Sequence, residues 1–113
     1  MVASQNLLGR ALASAGRPAE ALAQHREALA LAELVAAANP DDALPKTDIA
    51  TCLRHIGDLE MAMGRPAAAV VSLKRAAALQ EERTRADPAD ADARTLLADI
   101  RASLDKATAP PPR

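Results

Sequence analysis

The sequence predicts an all-α fold: antiparallel helical hairpins stacked as a short right-handed α-solenoid, two hairpins plus a closing helix. Three observations predict it. Residues recur along the chain at one fixed spacing, helix breakers recur with them, and apolar positions between the breakers follow helical spacing. Gly9 and Gly57, Gly16 and Gly64, Pro18 and Pro66, and Pro40 and Pro88 each lie 48 residues apart. The same shift aligns Arg17 with Arg65, Ala21 with Ala69, Ala28 with Ala76, Leu31 with Leu79, Glu33 with Glu81 and Thr47 with Thr95. Self-similarity spread over a whole period marks stacked supersecondary units that bury their apolar faces only against one another.

Each period reads as two helices. The first covers about residues 2–15 and recurs at 44–63, where Ile49, Leu53, Ile56 and Met63 follow the spacing of one buried face. Gly16 and Gly64 come next, at the place where a left-handed backbone suits only glycine. Pro18 and Pro66 then open the second helices, since proline's missing N–H is no loss in a first turn. These run over about 19–38 and 67–86. Ala21, Leu22, Ala28, Leu29 and Val35 form one stripe; Ala69, Val70, Leu73, Ala76 and Ala77 form the other. Asn39-Pro40 and Asp87-Pro88 stop them, because the residue before proline avoids helical angles. Asp42 and Asp90 are placed to cap the helices that follow. The last helix, about 91–106, buries Leu96, Leu97, Ile100 and Leu104 and carries Asp92, Arg94, Asp99, Arg101 and Asp105 on its other side. A polar outer face is what closes a solenoid. One domain, 1–106, is expected, with repeats at about 2–40 and 44–88 and the Pro-rich tail 107–113 as a disordered end.

Composition narrows the function. The 113 residues are 50% hydrophobic with no aromatic residue, so Ala, Leu, Val, Ile and Met build the core. A net charge of −1 gives no electrostatic footprint for nucleic acid, and there are no rings on which bases would stack. The single cysteine excludes an intrachain disulfide. No apolar run reaches bilayer length and the first residues lack a secretory pattern, so a cytoplasmic location is the expectation, with no membrane and no nucleic-acid partner.

With these residues in place, the chain resembles the tetratricopeptide repeat family. The resemblance rests on Leu8-Gly9, Gly16, Ala21 and Ala28, and on Ile56-Gly57, Gly64, Ala69 and Ala76, and it covers about residues 2–106. The family's aromatic positions hold Gln5, Leu12 and His25 in the first copy and Leu53, Glu60 and Leu73 in the second. The period exceeds the family's usual length of about 34 residues, as in long tandem repeats of large bacterial proteins, some appended to serine/threonine kinases. The resemblance implies a non-catalytic protein–protein interaction scaffold that holds a peptide or protein segment in a concave groove lined by first helices. Matching groove positions are Asn6, Arg10, Ser14, Thr51, Arg54, His55, Asp58 and Lys106, with Ala102 and Ser103 beside the last. Arg10, Arg54 and Lys106 would form a cationic line for a carboxylate, weighed against plain solvated charge.

Chemistry is poorly supported. Cys52 and His55 are helical neighbours without a third orienting group, and Cys52 falls on a small buried position of the repeat. One cysteine and two histidines do not make a structural zinc site. "GRPAEA" lacks the pattern of a phosphate loop. Neither enzyme, metal nor cofactor is expected. The competing expectation is self-association, a homo-oligomer, or a piece of a longer repeat array.

Overall fold

The computed structural model describes residues 2–109. Five helices follow one another: α1 (Val2–Ser14), α2 (Pro18–Ala38), α3 (Ala43–Ala62), α4 (Pro66–Ala86) and α5 (Ala91–Thr108). No strand occurs among the described residues, and none of their helices is long and apolar enough to cross a membrane.

The repeat is visible in the backbone. Gly16 and Gly64 have φ of 76° and 75°, the left-handed conformation that glycine adopts freely. Around each, the chain closes on itself: Arg17 N–H donates to the Leu12 carbonyl and Gly16 N–H to Ala13, and Arg65 and Gly64 repeat this with Glu60 and Met61. Such paired bonds satisfy carbonyls left over at a helix end. Pro18 and Pro66 stand in the first turns of α2 and α4, both 21 residues long. Asp42 accepts from Leu44 N–H and Asp90 from Ala93 N–H, each at 3.0 Å, capping α3 and α5.

Helices pack in chain order, α1 on α2, α2 on α3, α3 on α4 and α4 on α5. The central core joins Ala32, Ile49, Ala50, Leu53, Ala76, Ala77 and Ile100. Smaller clusters lie towards the hairpin turns: Ala21, Leu22, Ile56 and Leu59 in one, Ala69, Leu73 and Ala107 in the other. In addition the backbones of α1 and α3 and of α3 and α5 come close, whereas α2 and α4 meet through side chains, the Arg75 guanidinium lying 3.4 Å from the Glu33 carboxylate. First helices therefore stand on the inner side of the stack and second helices on the outer. The molecule measures 44 × 29 × 20 Å.

Two expectations are corrected. Val35 is 38% exposed; the side of α2 that meets the central core at this end runs through Ala32 and Ala36 instead. Helix α5 continues to Thr108 rather than ending at 106; Ala107 is buried against Ala69 and Leu73, and the Thr108 hydroxyl bonds the Leu104 carbonyl. Of the expected tail, residues 110–113 lie outside the described residues.

Candidate groove and inter-hairpin joint

The inner side of the stack is the surface that α1, α3 and α5 share. Between α3 and α5 it holds an open cavity of about 300 Å³ lined by Arg54, Asp58, Met61, Ser103 and Lys106. Helical spacing explains the set: 54, 58 and 61 follow one stripe of α3, and 103 and 106 face them from α5. Arg54 reaches Asp58 at 3.7 Å and Asp99 of α5 at 3.8 Å, so one guanidinium spans both helices through loose, half-exposed ion pairs. Lys106 and Arg10 make no ion pair among the described residues. Three of the expected groove residues, Arg54, Asp58 and Lys106, thus meet at one cavity. Ser14 and Arg10 are exposed on α1, and Thr51 is half-buried on α3, away from this cavity.

Asn6 and His55 stand elsewhere. They belong to a polar cluster where α1, α2 and α3 meet. His25 of α2 is 1% exposed, and its Nδ1 lies 2.9 Å from Asn6 Oδ1. Since the amide oxygen only accepts, the imidazole carries its proton on Nδ1. The Asn6 amide nitrogen also donates to Cys52 Sγ at 3.5 Å. The Nε2 end of His25 is driven into α1 at Gly9, where a Cβ would stand 2.5 Å from Nε2. Gly9 is therefore the space that the imidazole occupies. His55 of α3 stacks on the same ring, centroids 4.7 Å apart and planes 21° from parallel.

Burial dominates the electrostatics here. It lowers His25 below the ordinary histidine range, helped by Arg10. His55 is pushed down to about 4, first by burial, then by His25, Arg54 and Arg10. Burial raises the Cys52 thiol, against the Asn6 bond that lowers it, so the thiol stays protonated and unreactive. Among the described residues no group of three His, Cys, Asp or Glu side chains is placed to hold a metal ion.

The sequence placed His25 at an aromatic position and His55 at a groove position but did not bring them together. A signal was available. Position 25 corresponds to Leu73, so a polar ring stands where the second copy buries an aliphatic chain, and a buried polar group needs a partner.

Residues 2–41, the first hairpin and the loop after it, match the family model described as Tetratricopeptide repeat. No curated protein and no solved structure matches the chain. The matched hairpin, its copy one period later and the chain-order packing of the helices support a repeat of the tetratricopeptide kind; members of that family are in general protein–protein interaction modules and typically non-catalytic scaffolds.

Proposed function

We propose that the described helices act as one interaction domain, holding a peptide or protein segment against the inner surface of α1, α3 and α5. The observation that carries this reading is the cavity between α3 and α5, where Arg54, Asp58 and Lys106 converge beside Met61. Lys106 supplies a cation that pairs with no carboxylate among the described residues, and Arg10 extends the positive charge towards the first hairpin. A segment bearing a carboxylate would bond to Lys106 and share Arg54 with Asp58 and Asp99, a charge-assisted contact stronger than a neutral one. The test is fluorescence anisotropy with short labelled peptides of acidic, neutral and basic composition. The acidic peptide is expected to bind saturably, and Arg54→Glu with Lys106→Glu to weaken it at least about tenfold, the equivalent of one good ion pair. Saturation by no peptide, or an unchanged affinity in the double variant, rejects the groove.

A second reading, self-association, has its own observation. Arg10 is the only charged residue of α1, and Leu7 and Leu8 are 66% and 48% exposed. A solvated helix face ordinarily carries more charge. Light scattering over a wide concentration range is expected to show a weak dimer that Leu8→Glu abolishes; a monomer throughout rejects this reading.

A further inference from the structure

The polar cluster between the hairpins has a property that groove binding does not use. Three helices meet around two stacked imidazoles, and His25, the more deeply buried of the two, has no place for a further proton. His25 already donates from Nδ1 to Asn6, and its other nitrogen points into the Gly9 backbone, so a proton added there has no acceptor. Its flat face is covered by His55.

The charges around the pair sharpen the point. From α1 comes Arg10, and from α3 come Arg54 and the neutral Cys52 thiol. The carboxylates in reach are engaged or weakened: Asp58 of α3 and Asp99 of α5 are drawn to Arg54, and burial raises Asp48. Nothing from α4 acts on the pair. A second positive charge placed here would join two guanidinium groups in a poorly solvated joint.

We infer that this joint is proton-sensitive: on acidification to about pH 5 the hairpin α1–α2 loosens from α3, while α3, α4 and α5 keep their packing. The sign follows from linkage. Both imidazoles take up a proton less readily in the closed joint than in the opened one, so closure is fully favoured above the ordinary histidine range and is lost as pH falls through it. The second joint is a built-in control. At the positions equivalent to His25 and His55 it has Leu73 and Ser103, and Gly57 makes room for the leucine as Gly9 does for the imidazole.

Amide hydrogen exchange of the full chain between pH 7 and 5, expressed as protection factors, tests this. Protection in α1 and α2 is expected to fall about tenfold relative to α4, one pH unit's worth of proton uptake. The variant His25→Leu with His55→Ser, which copies the second joint into the first, is expected to remove the fall. A fall shared equally by all five helices, no fall in α1 and α2, or a fall that persists in the variant overturns the inference. Should the variant fail to fold, histidine NMR titration of the wild-type chain decides: imidazole protonation that does not coincide with the loss of α1 and α2 protection also overturns it.

Discussion

The two joints of the stack are built on one backbone and filled with opposite chemistry. Where the first uses Gln5, His25, Cys52 and His55, the second uses Leu53, Leu73, Ile100 and Ser103. Leu73 and Ile100 are fully buried among carbon atoms. Cys52 and His25 are buried just as deeply, but through hydrogen bonds to Asn6. The lesson is that hairpin stacking needs filled volume and satisfied polar atoms, and it is indifferent to which of the two a repeat supplies. The indifference has a limit: Gln5 Oε1 is buried with no hydrogen-bond partner among the described residues.

Breaking the apolar joint should have the largest effect. Leu73→Ala removes a side chain with no exposed surface, opening a cavity beside Gly57, and is expected to cost about 3 kcal/mol. Urea unfolding measures it, and a loss below about 1 kcal/mol would mean that α3 and α4 collapse into the space. The polar joint should show itself through pH. With His55 lowered to about 4 and partly solvated, stability is expected to fall by roughly 1–2 kcal/mol between pH 7 and 5. His25→Leu with His55→Ser should flatten that slope in the same assay. The smallest effect is a gain. Gln5→Leu, borrowing the residue of the second copy, should stabilise the chain by about 1 kcal/mol by removing an unsatisfied buried oxygen. A destabilised variant would show that the glutamine amide is satisfied in solution.

Most of the frame was legible in the sequence because its punctuation is local. Gly16, Pro18, Asn39-Pro40 and Asp42 act within a few residues of themselves, and their copies act alike. Helix faces were legible too, apart from Val35, since periodicity reports which side is apolar but not which of its residues a neighbour covers. The site was legible in part. Position in the repeat named Arg54, Asp58 and Lys106 among eight groove residues, and these three line one cavity. The contacts of Asn6 and His55 across α1, α2 and α3 were not legible, because a spacing pattern assigns a residue to a face without saying which neighbouring helix that face meets. The His25–His55 stack joins α2 to α3 across 30 positions, beyond anything that i, i+3 or i, i+4 reasoning connects.

Chain-order packing bears on how the molecule is made. Every extensive contact joins helices that follow one another, so a segment needs only its neighbour to begin folding. Little loop entropy is lost before contacts repay it, which places the chain among fast folders. The two glycine turns close through backbone bonds alone, so each hairpin can form as soon as its second helix exists. Synthesis from the amino terminus would therefore present α3 with a finished α1–α2 surface to settle on, and assembly would proceed one helix at a time towards α5.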